Sequence, residues 1–313
     1  MDPQLRLWLT LLGGVLPGAV ALVTLFLFWM WHAHRSNMKE LESADAVVSD
    51  GPRWLLPVLL ALGAIACDLV INSGMQLWPK SATERYLHVF LLLGFVGFFE
   101  GLVRWPTVMV LAARALAYAA AVWMLAAPYV ESEILTNQEL LAWMALAGIG
   151  GCAVSHYADY ALENTRAWNA GFAFILAFAG LMPILFATRW AVGSMMLIGV
   201  IAVLVNVSIV GLVFTRVRVS RGGVSVLVGI LIALMVGSGI QNEPNAVPAI
   251  ALLGLLPLVA SVPGRDGLGS FITRAGAVIL LLGIVGGMVQ WQNNLNNADD
   301  SSTGEDPYAE YAE

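Results

Sequence analysis

Three groups of polar residues lie inside long apolar stretches, where each must have a physical reason. Asp68 is followed at four-residue intervals by Asn72 and Gln76, a spacing that puts all three on one face of a helix. Trp54 and Trp78 bound the apolar run that holds Asp68. An ionised acid at the centre of a membrane helix costs about 2.5–3.5 kcal/mol on insertion scales. Its side chain must therefore meet protein or water. An acid and two amides in a row can line a polar path, or bind a small polar solute or cation. The bland alternative is an Asp68 hydrogen-bonded to a neighbouring helix, fixing packing.

Glu100, Arg104 and Arg114 form the second group. A tight hairpin at Arg104–Trp105–Pro106 would bring Glu100 and Arg114 to similar depth on two adjacent helices. Pairing would relieve both burial costs, although such pairs often add little net stability. The group reads as a structural ion pair, or as a gate that opens by breaking it.

The third group is Cys152, Ser155, His156 and Asp159, at three- and four-residue spacing along one helical stripe. Histidine titrates near neutral pH, so His156 and Asp159 are a candidate proton relay, or else a solvated helix end. His32 and His34 make an H-x-H pair, but without carboxylate support no metal site is expected. Asn206, deep in an apolar run, is expected to bond between helices. Metalloprotease, phosphate-loop, nucleophile-elbow and dinucleotide motifs are absent from the chain. Neither a cofactor nor catalysis is expected.

The elements that carry these groups follow from composition. Apolar residues make up 59% of the 313 residues and charged residues 12%, about half the charged share of a soluble domain. Such a chain cannot coat a water-facing surface, so its outer face is for lipid. Spanning the hydrocarbon takes about 20 apolar residues as helix, and unbroken apolar runs lack the alternation of barrel strands. The fold class expected is all-α: a polytopic transmembrane helical bundle of about ten spans. The runs are 7–31, 54–78, 87–103, 106–130, 139–158, 167–188, 190–215, 224–240, 246–263 and 272–291. Together they make an integral membrane domain over 1–292, followed by a polar, acidic tail over 293–313 that is expected to be disordered. Tryptophan and tyrosine at run ends, among them Trp54, Tyr86, Trp105, Trp168 and Trp291, fit an interfacial belt.

With ten spans both termini lie on one side, with Arg6, Lys80, Arg85 and Arg189. The other side collects Arg35, Lys39, Arg53, Arg104, Arg114, Arg166, Arg216, Arg218, Arg221, Arg265 and Arg274. The positive-inside rule makes that second side cytoplasmic. Both termini are then expected outward, in a cell membrane of the bacterial inner type. The connection after Trp31 is expected to carry a short interfacial helix capped by Asn37 with Glu40 three residues on.

Five spans plus five leave room for an inverted repeat, common in transporters. Gly148–Gly151 resembles Gly283–Gly287, and Leu69–Asn72 resembles Leu204–Asn206, at matching places in the two halves. Glycines at Gly14/Gly18, Gly97/Gly101, Gly283/Gly287 and Gly229/Gly237 are expected where helices approach closely. Cys67 and Cys152, in apolar runs, read as small core residues. No basic patch of the kind nucleic acid needs is present.

In size and span number the chain is similar to drug/metabolite-type carriers, but their motifs are absent and the charge count gives the opposite orientation. The function expected is carriage of a small polar or ionic solute by a multi-pass protein. The alternative is a non-catalytic membrane subunit or scaffold, with a membrane protein partner. The bilayer is the surrounding partner in either case.

Overall fold

The computed structural model describes residues 7–40, 53–72, 79, 81–103, 105–162, 165–188, 191–213, 219, 221–241, 251–262 and 267–302. Helices make up the architecture throughout. A π-helical stretch Leu9–Val15 leads into α1 (Leu16–Glu40). Next come α2 (Leu55–Ile71), α3 (Tyr86–Leu102) and α4 (Thr107–Glu131). The fifth span is composite: α5 (Asn137–Ala145), a π-helical segment Leu146–Gly150, then α6 (Gly151–Leu162). Beyond it lie α7 (Ala167–Ala187), α8 (Ala191–Val213), α9 (Arg221–Gln241), the short α10 (Leu256–Ala260) and the long α11 (Leu268–Ser302). Eight of the described helical stretches are long and apolar enough to cross a membrane.

Local chemistry sets several boundaries. The α5 start is a capping box: Thr136 Oγ1 accepts from the Glu139 N–H at 3.2 Å, and Glu139 Oε2 accepts from the Thr136 N–H at 2.8 Å. Pro106, in extended conformation, precedes the first turn of α4. The expected tight hairpin is there, with Trp105 N–H bonded to Val103 O at 3.0 Å and α3 packed against α4.

Four expectations are corrected. The connection after Trp31 holds no separate helix starting at Asn37, because α1 runs through that residue to Glu40 without a break. The α2 helix ends at Ile71, and Asn72 leaves it with φ −89° and ψ 8°. The run 246–263 is no continuous helix: Gly254 and Leu255 form a turn before α10, and Pro257 supplies no N–H to the preceding turn. Finally, α11 continues to Ser302, ten residues into the segment expected as a disordered tail. Gln290 Nε2 donates to Asn294 Oδ1 at 3.2 Å there, a four-residue pair that supports the helix past its apolar part. Residues 303–313 lie outside the described part.

The bundle is arranged around α9, which is 94% buried across its apolar window, whereas α11 is 17% buried and the first span 28%. The outer helices turn large apolar side chains outward: Leu116 is 71% and Ile149 74% exposed. Soluble monomers rarely show such surfaces over much area; lipid accounts for them. An axis relating five spans to five would set span two against seven and three against eight, as α2–α8 and α3–α9 are set. It would equally require α7 on α2, as α1 packs on α8, and that pairing is not among the close ones of the described elements.

Glycine brings the central helices together. A Cβ on Gly63 of α2 would lie 2.7 Å from the Gly199 carbonyl oxygen of α8, and one on Gly199 would lie 2.8 Å from Gly13 O. Cys67 seals the same crossing, its Sγ donating to Gly13 O at 3.3 Å and accepting from the Gly199 N–H at 3.2 Å. These neighbours are backbone atoms, which cannot swing aside. Gly199→Ala is expected to lower stability by about 1–3 kcal/mol, read as the unfolding midpoint in detergent. Gly276→Ala, with nothing within 4 Å of its added methyl, is the neutral control. An equal midpoint for both variants would show that the crossing is looser than drawn.

At Gly14, Gly18, Gly97, Gly101 and Gly229 the added Cβ likewise meets a neighbouring helix or segment. Gly283 and Gly287 differ: nothing lies within 4 Å of a Cβ at either, so the close approach expected there is not made within the described chain.

Candidate functional site

The deepest charge cluster lies at one end of the bundle. Glu100 is two residues from the end of α3, Arg114 stands two turns into α4, Asp159 is near the end of α6, and Arg221 opens α9. The alternating course of the spans puts all four helix ends together. Arg114 is fully buried, and its side chain is bracketed by two carboxylates, Glu100 at 4% and Asp159 at 9% side-chain exposure.

Glu100 engages Arg114 with both oxygens. Oε2 accepts from Nε at 3.0 Å and Oε1 pairs with Nη2, the bidentate geometry that makes arginine–carboxylate contacts strong. Asp159 holds Nη2 through Oδ2 only. The same Nη2 also donates to the backbone oxygen of Arg221 at 3.3 Å. Two atoms of the cluster are buried without a hydrogen-bond partner, Nη1 of Arg114 and Oδ1 of Asp159. One turn above Arg114, Tyr118 donates to Ser225 O at 3.0 Å, tying α4 to α9.

The hairpin thus brings Glu100 and Arg114 together as their spacing suggests, and the structure adds Asp159. Arg104 lies outside the described residues. His156 is exposed on the outer side of α6, and no hydrogen bond joins it to Asp159, whose carboxylate turns inward to Arg114. Three residues at about 100° each leave the two about 60° apart around the helix, and only the inner one finds a charge. Cys152 donates to Leu111 O at 3.3 Å, again between α6 and α4.

Asp68 occupies the opposite end of the bundle. It is 2% exposed, and Asn72 Nδ2 donates to its Oδ1 at 2.9 Å and reaches Thr83 O at 3.2 Å. Because α2 ends at Ile71, Asp68 sits one turn from a helix end rather than at mid-span. Gln76 lies outside the described residues. What is visible is a clasp between the end of α2 and the turn that opens α3.

Several buried polar groups were not apparent as sites from spacing. Arg274 of α11 is fully buried and donates to Val262 O at 2.9 Å, Asn169 Oδ1 at 2.9 Å and Thr165 Oγ1 at 3.0 Å. Asn169 donates in turn to Ser270 Oγ at 3.0 Å. Two of the three acceptors lie more than a hundred positions from Arg274 and the third in an irregular segment, so no local pattern marks the clamp. Tyr86, expected at the lipid headgroups, is fully buried and donates to Ala233 O of α9 at 3.0 Å. Asn206 bonds its own helix, to Ala202 O at 2.8 Å, and not a neighbour; Gly18 of α1 packs on its amide. The side chains of His32 and His34 are outside the described set.

The Glu100–Arg114–Asp159 cluster is therefore the site with most chemical capacity: two acids, one guanidinium and unpaired donor and acceptor atoms, all withdrawn from water. It can bind a proton, a small cation or a small polar group. No protein-family model, curated protein or solved structure matches this chain.

Proposed function

We propose that this multi-pass membrane protein carries a small polar or ionic solute, without catalysis, and that the Glu100–Arg114–Asp159 cluster is its working charge centre. The supporting observation is the pair of unpartnered buried atoms in that cluster, Arg114 Nη1 and Asp159 Oδ1. A buried ion pair is seldom more stable than well-packed apolar residues of the same volume, and ionisable groups within spans commonly mark ion or substrate pathways. A charge cluster with spare capacity is in keeping with that use. Orientation follows the arginine count: both termini outward in a bacterial inner membrane, with this cluster at the cytoplasmic end.

The test is uptake into proteoliposomes of labelled amino acids, small sugars and monovalent cations, with and without a pH gradient. At least one probe should enter faster than into protein-free vesicles, and Glu100→Gln should return its rate to background. Uptake that no probe raises above background counts against the carrier. A second reading, a membrane subunit or scaffold, is supported by the unpacked Gly283/Gly287 stretch of α11. Recovery of a partner protein at fixed stoichiometry from native membranes, with no uptake by the isolated chain, would favour it.

A further inference from the structure

We infer that Asp159 is a proton-binding site, and that Glu100 is the fixed carboxylate that holds Arg114 in place beside it. This deepens the carrier reading by naming the ion bound. It rests on that reading for its purpose, while its test reads protonation directly.

The two acids are held differently. Glu100 spends both oxygens on one guanidinium, so a proton arriving there must break a bidentate pair. Asp159 spends only Oδ2, and its Oδ1 is buried with no partner. A proton can therefore settle on Oδ1 without displacing any hydrogen bond.

Charge points the same way. Among the elements packed on α6, α4 presents Arg114 and Tyr118, α9 presents Arg221, and α10 brings no titratable residue. Glu100 of α3 reaches the site through Arg114. On α6 itself His156, Tyr157 and Tyr160 are exposed, and Cys152 bonds a backbone oxygen. The Tyr118 hydroxyl is committed to Ser225. Arg221 is exposed at the rim and acts on Asp159 from there. Inside the rim, among the described residues, two carboxylates face one guanidinium, an excess of one negative charge in a medium that penalises it.

The step is a simple transfer. A proton from water at this end of the bundle forms an O–H bond on Asp159 Oδ1, the carboxylate becomes a neutral acid, and no electrons move. Arg114 keeps its positive charge and its bidentate pair with Glu100. What is lost is the ionic tie from α6 to α4. The segment of the span just before α6 is the π-helical Leu146–Gly150, a wider turn of the type that recurs at functional sites.

The test is infrared difference spectroscopy of the full chain reconstituted in phosphatidylcholine vesicles, taken between alkaline and acidic buffer. A protonated-carboxyl C=O band should appear, at higher frequency than that of solvated acids. It should shift on ¹³C-aspartate labelling, vanish in Asp159→Asn, and persist in Asp68→Asn. Labelling needs no variant, so it decides between aspartate and glutamate even if a substitution prevents folding. A band that ignores aspartate labelling, or survives Asp159→Asn, overturns the assignment. So does a response driven by sodium at constant pH. Proton binding without solute uptake would uphold the site and remove the carrier reading instead.

Discussion

Arg114→Gln is expected to destabilise the protein by about 3–5 kcal/mol, the cost of leaving a buried charge without its partner. Glu100 and Asp159 both lean on this one guanidinium, and neither is more than 9% exposed. Glutamine keeps much of the volume and a donor but removes the charge, so two carboxylates face each other across it. The folded protein can respond only by taking up protons or by opening the helix ends. The measurement is the unfolding midpoint in detergent, followed by tryptophan fluorescence. The triple variant Glu100→Gln, Arg114→Met, Asp159→Asn should recover most of the loss, because it removes every charge at once. If the single variant unfolds with the wild type, the cluster is already wet, and its charges are screened by solvent rather than by one another.

Arg274→Met should cost about 3 kcal/mol, from buried acceptors left short of a donor at about 1–3 kcal/mol each. The side chain of Arg274 joins three places: the start of α7 through Thr165 and Asn169, the segment after α10 through Val262, and α11 itself. Its weight is raised by its setting. With only 17% of its apolar window buried, α11 has little packing to hold it to the bundle. Loss of the clamp should therefore appear locally first. Amide hydrogen exchange over Leu268–Val278 is expected to speed up before that of α8 or α9 does. Exchange that rises equally across all helices would mean that α11 unfolds only with the whole bundle.

The two variants differ in how far they could be foreseen. Glu100 and Arg114 are fourteen positions apart on either side of a proline hairpin, and a hairpin fixes depth from sequence spacing alone. Arg274 counted only as one more cationic residue near a helix end, because its acceptors lie more than a hundred residues upstream or in an irregular segment. Asp159 and His156 were equal candidates as residues on one stripe. Rotation of α6 against α4 separated them, sending one to an arginine and the other outward.

Residence in a membrane is written in consecutive residues, since insertion depends on the summed transfer energy of about 20 neighbours in a row. The all-helical class and eight long apolar spans among the described residues follow from that one-dimensional quantity, and the α3–α4 hairpin from the proline between them. Tertiary structure decided what each buried polar group meets: Tyr86 inside rather than at the headgroups, Asp159 on Arg114, Arg274 in its clamp, Gly283 and Gly287 against nothing within the described chain. Those outcomes depend on how each helix is turned about its own axis. Lipid tails are as apolar as the side chains, so hydrophobicity does little to set that angle. Close glycine contacts and a few hydrogen bonds between distant positions set it.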